Sequence, residues 1–128
     1  MARFLLDTSV IVDVLNGKRG RAELLRSLLE AGHVLGCCPI NVAEVYAGMR
    51  PQEEEPTKRL LESLEYHAIS REAARLAGEW KRDHRKSGTT LHLADAVIAA
   101  VAITNRLTLM TDNVKDFPMK GLELYQLP

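Results

Sequence analysis

The chain is poor in several residue types that mark functional classes. It has two cysteines, Cys37 and Cys38, and they are neighbours. A disulfide between adjacent residues is strained, and a lone pair of cysteines offers no zinc-ligand spacing, so two reduced, buried thiols are expected. Aromatic residues make up only 5% of the 128 residues, which leaves no evident base-stacking surface. Seventeen basic residues cancel seventeen acidic ones, so global charge points to neither a polyanion nor a membrane surface, although a local patch stays open. The longest apolar run, Leu91–Ile103, is too short to span a bilayer and carries an aspartate. Met1–Asp7 is too short and too soon charged to read as a signal peptide, and a cytoplasmic protein with no membrane partner is expected. No repeat, low-complexity tract or long linker divides the chain, and its length and ordinary composition predict a single domain over residues 1–128.

Against that plain background, Asp95 stands out. Leu91–Ile103 is apolar almost all round, as in a helix buried on most faces, and Asp95 is its only formal charge at neutral pH. A lone ionised carboxylate there costs several kcal/mol unless it is paired. No Lys or Arg lies three or four residues away on either side. The partner must come from elsewhere in the fold, or be a cation that the sequence does not encode.

Apolar periodicity and breakers outline the elements. Arg3–Asp7 reads as a short buried strand, followed by a helical Ser9–Leu15 that Gly17 and Gly20 end. Arg21–Ala31 and Glu53–Leu64 carry leucine stripes at helical spacing, and Arg71–Lys86 is a third amphipathic helix. Asn41-Val42-Ala43-Glu44 opens a further helix that Gly48 and Pro51 terminate, and Leu91–Asn105 is the apolar helix. Strands are expected at Val34–Cys38, Ala68-Ile69, Leu107–Thr111 and Leu122–Tyr125. Brief apolar strands alternating with helices predict an α/β domain of three layers, a short and mainly parallel sheet covered by helices on both faces. Sites in such folds form beyond the carboxyl ends of the strands, where Asp7 and Asp112 fall.

Taken singly, the other acids have ordinary readings. Asp7, followed by Thr8 and Ser9, suits a helix N-cap; Glu44, three residues after Asn41, suits a capping box; Asp112 and Asp116 suit a polar turn. Together with Asp95 they suggest more. Two carboxylates about 4 Å apart repel by roughly 1 kcal/mol in water and about 4 kcal/mol near a protein surface. A fold that gathers several needs compensation, and Mg²⁺ or Mn²⁺ provides it through oxygen ligands. His92, one turn before Asp95, reads as structural, since an oxygen-rich site does not need it.

These acids sit in four stretches that carry a family resemblance. Phe4-Leu5-Leu6-Asp7-Thr8-Ser9-Val10-Ile11-Val12-Asp13 resembles the opening of a PIN-domain ribonuclease. Asn41–Gly48, Leu91–Ala100 and Leu109–Phe117 resemble its second, third and fourth acidic motifs. The compact length is similar to that of the VapC toxins of toxin–antitoxin pairs. The resemblance implies a Mg²⁺- or Mn²⁺-dependent endoribonuclease with metal-site acids at Asp7, Glu44 and Asp95. It implies a supporting hydroxyl at Thr8 or Ser9 and another at Thr111. Many relatives place a fourth acid two residues after that threonine, where this chain has Asn113; Asp112 and Asp116 are the alternatives. A VapB-like antitoxin is the implied partner, with a homodimer or a toxin–antitoxin hetero-oligomer as the assembly, and the stripes of Arg21–Ala31 and Glu53–Leu64 could serve such contacts.

Other readings compete less well. A haloacid-dehalogenase-like phosphatase wants a second aspartate two residues after Asp7, where Ser9 stands, and a receiver domain wants paired acids near the N-terminus. A PIN-fold binding module that has lost catalysis is the alternative that Asn113 keeps open. The best basic patch, Lys81, Arg82, Arg85 and Lys86 at a helix end, suits either RNA phosphates or the helix dipole alone.

Overall fold

Five short strands form one parallel sheet. The computed structural model describes all 128 residues. β1 spans Arg3–Leu6, β2 Val34–Cys37, β3 Glu65–Tyr66, β4 Thr108–Met110 and β5 Leu124–Tyr125. They lie in the order β3-β2-β1-β4-β5, with every neighbouring pair parallel. The helices are α1 (Thr8–Leu15), α2 (Arg21–Glu30), α3 (Pro39–Gly48), α4 (Glu54–Ser63), α5 (Arg71–Lys86) and α6 (Leu93–Thr104). Two 3₁₀ turns, Pro51–Glu53 and Val114–Asp116, complete the chain.

The period-2 alternation of the strands splits the core in two. Leu5 and Leu109 face a cluster built from α5 and α6, with Ala73, Ala77, Ile98 and Val101 buried in it. Phe4, Leu6, Leu35, Cys37 and Met110 face the opposite side, where Val10, Ile11, Leu25, Leu61 and Leu64 pack. The expected three-layer α/β architecture is therefore present, with helices on both faces. Each fully buried Ile, Leu or Val adds roughly 1.5–3 kcal/mol. Cys37 and Cys38 are both buried and unpaired, and they face opposite clusters.

Most of the expected elements appear with ends trimmed by a residue or two. Two differ in a way that matters. The third strand is Glu65–Tyr66 rather than Ala68-Ile69, because the register that pairs Gly36 with Glu65 and Cys37 with Tyr66 uses the residues immediately after α4. The apolar helix starts at Leu93, with His92 as its N-cap in extended backbone, so Leu91 and His92 precede it. Asp95 then falls in the first turn, where the helix dipole favours a negative charge. No helix is long and apolar enough to cross a membrane.

The sheet order changes direction beside β1: the chain winds outward to β2 and β3 on one side, then crosses to β4 and β5 on the other. The crevice at such a switch point lies between the carboxyl ends of β1 and β4. The backbone N–H of Asp7 donates to the carbonyl of Met110 at 2.9 Å, which stitches those two ends together.

Gly36 shows how closely the β2–β3 edge is packed. A Cβ there would stand 2.9 Å from the Glu65 carbonyl oxygen and 2.9 Å from the His67 ring. Gly36→Ala is expected to lower stability by about 1–3 kcal/mol in urea unfolding, as overpacking does. A change below about 0.5 kcal/mol, the range of ordinary surface substitutions, would show that this edge yields freely.

Candidate active site

β1 delivers Asp7 to the crevice, and α1 begins at the next residue. Asp7 is buried, and it serves as N-cap while also standing in the site: its Oδ1 accepts from the Thr8 N–H at 2.9 Å. Its Oδ2 accepts from the Thr111 hydroxyl at 2.7 Å. The Thr111 hydroxyl accepts in turn from the Asn113 N–H at 2.9 Å, so β4 and its following loop hold the Asp7 carboxylate from one side.

Glu44 arrives from α3. That helix starts at Pro39, with Cys38 as N-cap, and Asn41 rather than Glu44 returns a hydrogen bond to the cap: the Cys38 N–H donates to Asn41 Oδ1 at 2.8 Å. The capping-box role expected for Glu44 therefore belongs to Asn41, and proline at the first helical position was the signal for that earlier start. Asn41 is fully buried, and its Nδ2 donates to the Thr8 hydroxyl at 3.1 Å. The Thr8 hydroxyl then donates to Glu44 Oε1 at 2.6 Å. Of the two candidate hydroxyls after Asp7, Thr8 supports an acid, whereas Ser9 Oγ is buried without a partner.

The effects on ionisation show which acids share one field. Burial raises the Asp7 carboxyl above its usual range; the Thr111 and Thr8 bonds oppose this, while Glu44 and Asp116 add to it. Asp95 is pushed up to about 6, chiefly by burial, then by the charges of Asp7, Asp116 and Glu44, with His92 acting the other way. None of the ion pairs in the structure involves Asp7, Glu44, Asp95 or Asp116. The partner that Asp95 lacked in sequence is thus not a Lys or Arg brought in by the fold. The four carboxylates are near enough to act on one another, though no three converge as ready-made ligands of one ion.

Asp112 and Asp116, the two alternatives for the fourth acid, stand in different surroundings. Asp116, in the 3₁₀ turn after β4, acts on both Asp7 and Asp95. Asp112 is ion-paired instead, with its Oδ1 2.7 Å from an Arg21 guanidinium nitrogen and 3.6 Å from one of Arg19. Asp112 is thus engaged in an ion pair and is not one of the mutually repelling acids. Arg21 carried no signal in the apolar periodicity, but a cation in the first turn of a helix opposes the dipole and marks it as employed elsewhere.

The four residues of the basic patch are not equivalent. Lys81 is half-buried and its Nζ donates to the Leu91 carbonyl at 2.7 Å, tying α5 to the segment that leads into α6. Arg82, Arg85 and Lys86 remain exposed, with Arg82 paired to Asp83 at 3.2 Å.

A parallel sheet with carboxylates from four segments at its switch point defines a fold class that comparison with known proteins then specifies. The PIN domain family model matches residues 4–118. Ribonuclease VapC19 of Mycobacterium tuberculosis is 31% identical over 115 residues, covering 90% of this chain and 92% of that one. Ribonuclease VapC10 of the same organism is 35% identical over 115 residues, covering 90% and 86%. The chain belongs to the PIN-domain family. Among solved structures, VapBC2 from Rickettsia felis, bound to a DNA fragment from its promoter, matches with a TM-score of 0.85 at 23% identity, covering 98% of this chain and 99% of that one. The DNA-bound VapBC from Salmonella typhimurium matches with a TM-score of 0.82 at 21% identity, covering 98% of each chain.

The raised Asp95 value generates a stability prediction. Below about pH 4 the residue is protonated in both folded and unfolded chains and contributes no difference. Between about pH 4 and pH 6 the unfolded chain ionises first, so stability falls, and above that the full penalty persists. Asp95→Asn, in the presence of a chelator, is expected to gain about 1–2 kcal/mol near neutral pH after discounting for solvent screening. That gain is roughly 3–6 °C in Tm, and it should vanish near pH 4. A gain of equal size at both pH values would assign the effect to packing rather than charge.

Proposed function

We propose that this chain is a divalent-cation-dependent endoribonuclease and the toxin of a VapBC-type toxin–antitoxin pair. The observation that carries the reading is the mutual repulsion of Asp7, Glu44, Asp95 and Asp116 with no Lys or Arg paired to any of them. An all-oxygen donor set with unbalanced negative charge fits Mg²⁺ or Mn²⁺ rather than a softer metal. Asp7 and Asp95 would hold the ion, with Glu44 and Asp116 as further ligands, directly or through water. What a bound ion supplies at such a site is a more acidic water and stabilisation of charge on a phosphodiester.

The chain's own residues do the positioning. Thr111 and the Thr8 N–H fix both oxygens of Asp7, and Thr8 fixes Glu44, so two of the acids are oriented before any ligand arrives. Burial and the neighbouring acids push the Asp95 carboxyl up to about 6 in the cation-free site, and a bound cation would oppose that rise and favour the ionised ligand. Arg82, Arg85 and Lys86 supply a surface that attracts phosphates towards a site that would otherwise repel them.

The relatives named VapC are ribonucleases, and the structural neighbours named VapBC were solved as complexes, which supports an antitoxin partner here. A groove of about 330 Å³ between α2 and α4, lined by Leu25, Leu29, Leu60 and Leu64 among others, suits an apolar segment of that partner. Leu25 and Leu64 are buried in the core while Leu29 is 55% exposed, so the leucine stripes serve both packing and this groove.

The test is cleavage of total RNA by partner-free protein, with Mg²⁺ or Mn²⁺ and with chelator, beside Asp95→Asn and Asp116→Asn. Discrete cation-dependent products are expected, reduced roughly 100-fold by Asp95→Asn and at least about tenfold by Asp116→Asn. Folded wild-type protein that leaves RNA intact with either cation would instead indicate a binding module. The basic patch has its own test: replacing Arg82, Arg85 and Lys86 by Ala should reduce the slope of log affinity against log salt by up to roughly 2 for single-stranded RNA. An unchanged slope would remove the patch from the RNA path.

A further inference from the structure

Arg21 is among the most deeply buried charged residues of the chain, at 3% exposure, yet it touches none of the four repelling acids. It sits at the first position of α2, after a loop in which three of four residues share one backbone anomaly. Gly17 (φ 64), Arg19 (φ 56) and Gly20 (φ 66) all adopt the left-handed conformation. That conformation is strained for Arg19, and such strain persists where the surroundings enforce it. The loop delivers Arg21 inward, against the preference of a helix start for negative charge.

The guanidinium meets two segments there. One terminal nitrogen donates to Asp112 Oδ1 at 2.7 Å and the other to the Pro128 carbonyl at 3.4 Å. Arg21 Nε and Asp112 Oδ2 are both buried without a hydrogen-bond partner, and the only other cation near Asp112 is the exposed Arg19 at 3.6 Å, so the 2.7 Å Arg21 contact is the closer of its two ion pairs. Asp112 follows Thr111 directly in the chain. Thr111 supplies the hydroxyl on Asp7, the Asn113 N–H fixes that hydroxyl, and the turn then runs to Asp116.

We propose that Arg21 is a positioning residue for the acid site: by gripping Asp112 it holds the 111–116 segment in register with Asp7 and keeps a fifth negative charge out of the cluster. The proposal rests on the ribonuclease reading for its kinetic consequence, but its structural consequence is independent of it. Loss of the grip frees the Thr111 hydroxyl and Asp116 together, and a displacement of about 1 Å at a site of this kind lowers turnover by up to about 100-fold.

The experiment compares Arg21→Met, Arg21→Lys and wild type, each well below its own melting temperature. It reads kcat and KM for RNA cleavage, and the amide hydrogen exchange of Asn113, whose N–H bonds the Thr111 hydroxyl. Arg21→Met is expected to lower kcat about 10–100-fold with KM changed less than about threefold. Asn113 exchange should accelerate about tenfold or more, while α6 amides stay protected. Arg21→Lys keeps the charge and should recover part of both losses. A variant with a lower Tm but unchanged kcat and unchanged Asn113 exchange would overturn the proposal, leaving Arg21 as a purely structural ion pair. If Arg21→Met does not fold, Asp112→Asn removes the charge pair from the other side, and the same two readouts decide. Wild-type protein that does not cleave RNA would sink the functional reading, while Asn113 exchange would still test the grip.

Discussion

Repulsion among carboxylates is the constraint around which this molecule is organised. Asp7, Glu44, Asp95 and Asp116 come from four separate segments, and the charges of the others oppose the ionisation of Asp7 and Asp95. A fold gains nothing in stability from such a gathering. The surroundings must therefore be rigid enough to hold groups that would move apart if free. The sheet does this by ending β1 and β4 side by side, and α6 does it by anchoring Asp95 in a helix whose following residues Ile98–Ala102 are all buried.

The hydroxyls divide the work of orientation. Thr111 reaches Asp7 across the sheet, and Thr8 reaches Glu44 across to α3, with Asn41 behind it. Each threonine is also fixed by an N–H donor, from Asn113 in one case and Asn41 in the other. The result is two short relays that share the Asp7–Thr8 corner. Arg21 and Asp112 form a separate pair alongside, a favourable charge contact set next to an unfavourable cluster.

Much of this was legible in the chain, and the reasons differ from residue to residue. α5 is readable to its ends because Ser70 caps it and a basic last turn closes it. Asp95 is readable because a single charge in an apolar helix has few explanations. The β3 strand was misplaced to Ala68-Ile69 because apolar character was used as the guide, whereas a two-residue edge strand is chosen by register with its neighbour and here is Glu65–Tyr66. Asp112 and Asp116 could not be told apart, since both are acids in one polar loop and the difference lies in Arg21, ninety-one positions away from Asp112. The role of Asn41 was hidden by a neighbour in sequence: Glu44 has the right spacing for a cap, and only the earlier helix start at Pro39 shows that the cap is already satisfied.

Both outer strands of the sheet, β3 and β5, are two residues long. So brief an edge exposes too few free backbone groups to template another strand, and Glu65 places a charge along one of them. The protein is thereby guarded against edge-to-edge aggregation. The same brevity offers a partner little backbone on which to extend the sheet. Recognition of this domain then falls chiefly to side chains on its helices and loops. Such surfaces are free to diverge between one pair of partners and the next while the backbone of the sheet stays unchanged.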